Sequence, residues 1–339
     1  MLADELKAKA RELGADLVGI AAAEPLKEAS AYRDWIAAGM HGSMGYMAEH
    51  AESRDDIKSW YAEAKSVLLL GWSYAGPDSD PPTGGKGKIA RYARVADYHA
   101  PLRAKLKEIV AWLKEREPSS HAVVFTDTSP LLERLYARLA GLGWVGKNTM
   151  LISPKLGSYF LLGGIAMNIE LSPDAPVTDH CGTCTRCLDA CPTDAFPRER
   201  VLDASRCVAY FNIEHRTDIP DEFKEGVGDW VMGCDICQEV CPWNRFAKPG
   251  RTLPSAVPAA VPLDELLDLT WGQFRNRYGG TPLSRARKRS IERNALLAMG
   301  NSRDPRWRET LERYAKHSNA LLARQARWSL ARLPASKQD

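Results

Sequence analysis

The sequence predicts an α+β protein in three parts: a layered α/β domain over residues 1–170, a cysteine-rich domain over 171–250 and a helical domain over 262–339. Three observations predict it. Short apolar runs of strand length alternate with amphipathic helical patterns up to about residue 170. All eight cysteines fall between positions 181 and 241. Beyond a Pro-rich linker, Pro249 to Pro262, the apolar residues recur at helical spacing only.

Taken in order, Leu2, Leu6, Ala10 and Leu13 share one helical face ahead of Gly14, so the chain opens with an amphipathic helix closed by glycine. Strands are expected at Asp16–Ile20, Ser66–Leu70, Ala122–Thr126 and Tyr159–Ile165, with helices at Pro101–Lys114 and Pro130–Leu142. Periodicity leaves open whether the sheet is parallel, mixed or antiparallel. Gly76 to Gly87 is dense in Pro, Gly, Asp and Ser and reads as a surface loop. In the last part, Asp304-Pro305 is an N-cap with proline at N1, followed by Trp307, Leu311, Tyr314 and Ala315 on one face. Leu322, Ala326, Leu330 and Leu333 line the final helix. Ile291, Ala295 and Met299 precede Leu322, Ala326 and Leu330 by a constant 31 residues, a faint repeat compatible with a HEAT-like array.

With 339 residues, 45% of them hydrophobic, the chain can bury a substantial core. The acidic start Met1-Leu2-Ala3-Asp4-Glu5-Leu6 is not a signal peptide, and no uncharged apolar run approaches the roughly 18–20 residues of a membrane span. The expectation is a cytoplasmic protein without membrane association. Its net charge of +3 conceals an asymmetry: residues 271–339 carry 16 Lys and Arg against 5 Asp and Glu, while residues 1–270 carry 30 against 38. An acidic body with a basic end suits a polyanionic partner; the bland alternative is an Arg-rich solvated helix surface. Arg285, Arg287, Lys288, Arg289 and Arg293 stand where the chain enters a helix beyond the Tyr278-Gly279-Gly280 turn, placed to meet successive phosphates.

Clustered cysteines in a reducing compartment point to metal. Cys181-x2-Cys184-x2-Cys187-x3-Cys191-Pro192 has the spacing of a bacterial ferredoxin run, whose fourth cysteine serves the other cluster. Cys234-x2-Cys237-x3-Cys241-Pro242 repeats the ending, and Cys207 can supply its missing ligand. One 4Fe–4S cluster then takes Cys181, Cys184, Cys187 and Cys241, the other Cys191, Cys207, Cys234 and Cys237, leaving none over. The competing reading is tetrahedral zinc, against which stand three cysteines at consecutive x2 spacing and a Cys-Pro ending on both runs. No Gly-x-Gly-x-x-Gly follows a strand, so a Rossmann cofactor has no support.

Phe125-Thr126-Asp127-Thr128-Ser129-Pro130-Leu131-Leu132-Glu133-Arg134 and Ala140-Gly141-Leu142-Gly143-Trp144-Val145-Gly146-Lys147-Asn148-Thr149 resemble stretches of the epoxyqueuosine reductase family. Ile89-Ala90-Arg91-Tyr92, Asp97-Tyr98-His99, Ile213-Glu214-His215-Arg216 and Asp235-Ile236-Cys237-Gln238-Glu239-Val240-Cys241-Pro242-Trp243-Asn244 are also similar to it, in order along nearly the whole chain. The resemblance implies a nitroreductase-like cobalamin-binding N-terminal domain, two 4Fe–4S clusters, and reduction of epoxyqueuosine to queuosine at the wobble position of a tRNA. Cobalamin rests on the resemblance alone, since no Asp-x-His-x-x-Gly signature is present. It fits the chemistry, because removing an epoxide oxygen takes two electrons and a proton. A flavodoxin or ferredoxin system is the expected donor, and a monomer the expected state.

On the residues alone Asp127 is equally a site residue beyond a strand end and a turn or capping aspartate. The resemblance makes it the proton donor, a role that needs a raised pKa supplied by apolar neighbours and the cofactor ring. It further implies cobalamin contacts at Arg54, Tyr98, Lys147, Asn148, Leu151 and Leu162, and at Val208, Asp218 and Asp235 in the cluster domain, with His215 and Arg216 toward the anticodon. Val208 and Leu162 read equally well as core, Arg54 as a surface charge and His215 as a structural loop histidine. Two other readings compete: a B12-dependent reductive dehalogenase acting on a small molecule, which has no use for the basic tail, and an electron-transfer protein docking a partner on its helices.

Overall fold

The computed structural model describes residues 2–76, 84–250 and 252–335. Its strands in chain order are β1 (Leu17–Ala22), β2 (Ser66–Ser73), β3 (Lys86–Ile89), β4 (Ala122–Phe125), β5 (Trp144–Val145), β6 (Leu151–Ile152), β7 (Phe160–Met167), β8 (Trp230–Met232) and β9 (Ala260–Pro262). β2 is buried at every position, and a strand of that kind needs cover on both faces. It lies inside a four-stranded sheet of order β1-β2-β7-β4 whose pairings are all antiparallel. The two-residue period sends Leu68, Leu70 and Trp72 into one core, against Leu6 and Ala10 of the helix Leu2–Glu12 and Leu102, Leu106 and Ile109 of the helix His99–Arg116. Val67 and Leu69 enter the opposite core with Tyr136 and Ala137 of the helix Glu133–Leu139. That helix seats so closely on β1 that a Cβ on Gly19 would stand 2.0 Å from the Ala140 carbonyl oxygen.

Three expectations change. The helix foreseen at Pro130–Leu142 is shorter, because Thr128 donates its amide to the Thr126 carbonyl and Leu131 to that of Ser129, which turns the chain before Glu133. The loop foreseen at Gly76–Gly87 falls partly on residues 77–83, outside the described residues, and ends in β3. The stretch Pro249–Pro262 is no free linker: Gly250 donates to the Ala75 carbonyl, Ala256 and Val257 donate to that of Arg94, and Ala260–Pro262 is β9.

β3 pairs in parallel with β8 and antiparallel with β9, so a second sheet, β8-β3-β9, joins the N-terminal part, the cysteine-rich part and the stretch that leads into the C-terminal helices. Ile89, Val231 and Val261 carry this sheet into the largest apolar core, shared with Ile291, Ala295, Leu311 and Leu322 of the C-terminal helices. Those helices are Leu263–Asp268, Trp271–Tyr278, Leu283–Ser302, Arg308–Ala315 and Ala320–Ala331. Gly300 meets Ser329 where a Cβ would come within 2.6 Å, fixing the closest approach of two of them. Leu283–Ser302 is broken at Arg287, whose φ is +62°. Among the described residues no helix is long and apolar enough to cross a membrane.

Candidate active site and metal centre

β4 ends at Phe125, the Thr126 hydroxyl donates to the Leu162 carbonyl on β7, and the next residue, Asp127, takes a left-handed φ of +53°. A non-glycine residue held there costs about 1 kcal/mol or more, so the surrounding structure over-determines it. His99, at the start of its helix, places Nε2 3.0 Å from Asp127 Oδ2 and Nδ1 2.7 Å from Asp97 Oδ1. Both ring nitrogens therefore face carboxylate oxygens, which only accept, and the ring satisfies both as imidazolium. Accordingly the Asp127 bond raises the His99 pKa, and the same bond, aided by the Tyr98 hydroxyl and the charge of Arg285, holds Asp127 below the usual carboxylate value. With the imidazolium beside it, Asp127 shares one proton with His99 across the Nε2–Oδ2 hydrogen bond.

Glu133 and Arg134, at the start of the helix that follows, lie beside this pair. Glu133 accepts the Asp127 backbone N–H and is pushed up to about 8 by burial and then by the Asp127 charge; its Oε1 is buried without a partner. Arg134 is solvent-exposed, and the protein packed around it lowers its pKa. Its guanidinium donates to the Thr149 carbonyl at 2.6 Å, on the tip joining β5 to β6. An adjoining cleft of about 520 Å³ is lined by Ser43, Tyr46, Glu214, Arg216, Arg285 and Arg287. There the Arg285 guanidinium lies 5.5 Å from the half-exposed Tyr46 ring, bonded to Glu214 at 2.8 Å, while Arg216 donates to the Arg285 and Ala286 carbonyls.

The eight cysteines gather in one region of the structure. Cys181, Cys184, Cys187 and Cys241 line one cavity of about 390 Å³ with Lys147, Asn148 and Trp243. Cys207 and Cys234 pack instead against the apolar cluster of Val208, Phe211 and Trp230. Cys191, Cys207, Cys234 and Cys237 stand within electrostatic reach of one another. Among the described residues no three Cys, His, Asp or Glu side chains converge tightly enough for a single ion. Thiolates around a cubane stand farther apart than around zinc, so this donor set suits two clusters better than one zinc.

The remaining candidates divide sharply. Tyr98 stacks on His99 at 4.3 Å and joins Asp127. Asn148 donates to the Cys237 carbonyl and Lys147 pairs with Glu199 at 2.6 Å, so both sit at the clusters. Leu162 flanks Asp127 through its carbonyl, and Leu151 is core. Arg54 is buried, its guanidinium on the Glu49 and Tyr46 carbonyls beneath the cleft wall. Three candidates, Val208, Asp235 and Arg293, are corrected by their burial. Val208 is 2% exposed and wholly within a core. Asp235 is 1% exposed, its oxygens taken by the Arg91 amide and Gln238, and burial pushes it up to about 6. His215 is half-buried, held by Tyr210 and the Asp218 carbonyl, and burial lowers its pKa. Arg293 is 0% exposed and donates to the Phe211, His215 and Thr217 carbonyls, so it cannot meet a phosphate. Asp218 serves Lys224 at 3.2 Å, while Lys288 pairs with Glu292. Arg285, Arg287 and Arg289 are exposed.

The family model described as epoxyqueuosine reductase QueG, DUF1730, matches residues 54–128, and that of the 4Fe-4S double cluster binding domain matches residues 180–244. The chain is 40% identical to epoxyqueuosine reductase of Cyclobacterium marinum over 85% of its own length and 94% of the relative's. The chain belongs to the epoxyqueuosine reductase family. The Xanthomonas campestris epoxyqueuosine reductase is 36% identical over 97% of this chain and 95% of its own. An epoxyqueuosine reductase structure with an epoxyqueuosine-modified tRNA-Tyr stem loop superposes at TM-score 0.88, with 30% identity, covering 98% of this chain and 90% of that one. The Streptococcus thermophilus epoxyqueuosine reductase does so at 0.87, with 28% identity, 98% and 91%. Within this family member, sequence reasoning passed over Asp97, His99, Glu133 and Arg134 as working groups, although all lie in motifs that carried the resemblance. Their signal was faint, since 28 residues separate His99 from Asp127 and no local pattern links them.

Proposed function

We propose that the protein reduces the epoxide of epoxyqueuosine at the wobble position of a tRNA, giving queuosine, with cobalamin fed by two 4Fe–4S clusters. The observation that carries this reading is the likeness, over 98% of the chain, to an epoxyqueuosine reductase structure with an epoxyqueuosine-modified stem loop. On this reading residues 1–170 hold cobalamin, residues 171–250 the clusters, and residues 262–339, arranged like HEAT repeats, a basic surface, in a cytoplasmic monomer served by a flavodoxin or ferredoxin system. Beside Asp127 the buried Glu133 Oε1 has no hydrogen-bond partner, an orphaned polar atom that fits a large polar cofactor held by Tyr98, Leu162 and Arg134. When bound, cobalamin supplies low-valent cobalt that breaks epoxide carbon–oxygen bonds, and the clusters replace the electrons spent.

Losing the oxygen as water takes two electrons and two protons. The His99–Asp127 pair stores one proton between Nε2 and Oδ2 and presents it from Oδ2, while the half-exposed Asp97 stabilises the imidazolium and connects it to solvent. Glu133, neutral at pH 7, adds no second charge beside Asp127. Tyr46 and Arg285 offer a flat surface on which an unstacked base can lie, and Arg287 and Arg289 meet the phosphates. The test is anaerobic incubation of protein loaded with cobalamin and clusters with an epoxyqueuosine stem loop and a strong reductant, followed by nucleoside analysis. Queuosine is expected, with Asp127→Asn at least about a hundredfold slower and both cofactors retained. Loaded protein that leaves the epoxide intact overturns the proposal.

A further inference from the structure

The two sets of cysteines differ in what surrounds them. Cys207 and Cys234 back onto an apolar core, whereas the cavity of Cys181, Cys184, Cys187 and Cys241 opens at the surface. Its mouth carries Arg186, Arg245 and Phe246. Phe246 is 49% exposed, one of four large apolar side chains so exposed among the described residues. It rests on Trp243, with ring centroids 6.0 Å apart, and Trp243 packs on Trp144, whose indole N–H donates to Cys181 Sγ at 3.4 Å. Arg245 lies 5.3 Å from the Phe246 ring, its Nε donating to the Pro242 carbonyl, which holds its charge flat beside the aromatic surface.

Neither Arg186 nor Arg245 is in a salt bridge among the described residues. Carboxylates close in the chain are engaged elsewhere: Glu199 with Lys147, Asp179 with Arg200, and Asp189 with the Thr185 hydroxyl. An exposed aromatic flanked by two uncompensated cations, over the open cavity of a redox centre, is the surface a negatively charged redox partner recognises.

We infer that Arg186, Arg245 and Phe246 form the docking face for an acidic electron-carrier protein, which reduces the cluster held by Cys181, Cys184, Cys187 and Cys241. The inference rests on the proposed function only for the presence of that cluster. Each encounter oxidises the carrier by one electron and reduces the cluster by one, and two encounters supply the pair that the epoxide consumes. Such interfaces are small and steered by charge, so the cations act chiefly on association rate and its salt dependence. RNA is the other polyanion on hand, but the Tyr46 and Arg285 cleft is lined by different residues.

The experiment uses protein loaded with clusters and reduced flavodoxin as the carrier, with cluster bleaching followed by stopped flow and affinity by titration. Arg186→Glu combined with Arg245→Glu is expected to lower the second-order rate and the affinity at least about tenfold at low salt and to flatten the salt dependence. Reduction by dithionite and binding of a tRNA stem loop stay unchanged. Phe246→Ser weakens binding without changing the salt slope. An unchanged carrier rate overturns the inference; so does an equal loss with dithionite, which places the defect in the cluster, or lost stem-loop binding, which assigns the arginines to RNA. None of these readouts involves epoxide reduction, so failure here is distinguishable from failure of the proposed function.

Discussion

Replacing His99 by Gln keeps a side chain able to reach Asp127 while removing the group that stores the proton. In the parent protein both His99 nitrogens face carboxylates, at 2.7 and 3.0 Å, and the imidazole pKa is raised. At pH 7.5 an imidazole at or above its ordinary ~6.5 is protonated in about one molecule in ten or more, whereas an aspartic acid near ~3.9 is protonated in about one in 4,000. The ratio is a few hundred. Burial raises Asp127 somewhat once the imidazolium is gone, leaving an expected loss of roughly a hundredfold at pH 7.5, within the usual range for general acid catalysis. The sign follows from the shift: the pair is loaded below the raised His99 pKa and empties as pH rises through it, so the alkaline limb of the parent profile lies above the ordinary imidazole value. In His99→Gln that limb moves to the acid side, and the two rates converge as pH falls. Single-turnover reduction of an epoxyqueuosine stem loop by pre-reduced enzyme, between about pH 5.5 and 9, measures it. A variant within threefold of the parent at pH 7.5, or an alkaline limb that does not move, refutes the shared-proton arrangement.

Three further outcomes are expected. Cys207→Ser lowers iron in reconstituted protein from about eight atoms per chain toward about four, and stoichiometric zinc in the parent would contradict both cluster assignments. Arg293→Ala removes a buried guanidinium that serves three carbonyls, the Phe211 one in a fully buried bond, and costs about 3 kcal/mol, seen as a fall in Tm of several degrees or more that Arg293→Lys does not fully restore; a shift under about 2 °C would show the guanidinium to be dispensable. Arg287→Ala with Arg289→Ala weakens stem-loop binding and lowers its log–log salt slope by about one to two, whereas Lys288→Ala, already paired with Glu292, changes it less; equal titrations for all three would move the RNA elsewhere.

The legible parts were those that local spacing fixes. Cysteine sulfurs around a cubane need short, repeated intervals, and those intervals marked the double-cluster domain over residues 180–244. β2 and β7 were legible because eight-residue apolar runs are hard to use otherwise. Strands β8 and β9 were not, because three residues carry no period and their partner β3 lies far off in the chain. Charge was the least faithful guide: Arg293 resembles its exposed neighbours in sequence and differs only in facing carbonyls of another segment. The same holds for His99, whose role depends on two carboxylates brought together by tertiary packing.

β3 waits for both of its partners. Lys88 pairs with Trp230, about 140 residues later, and with Ala260 beyond that. During synthesis its edge stays unsatisfied until nearly the whole chain has left the ribosome, and the non-local closure makes folding slow. β8 leads directly into Cys234, so this ladder closes on the same stretch of chain that supplies a cysteine of the cluster domain. A nascent chain starved of iron would keep an open strand edge, a ready template for aggregation, so cellular iron supply would govern the yield of folded protein as well as its activity.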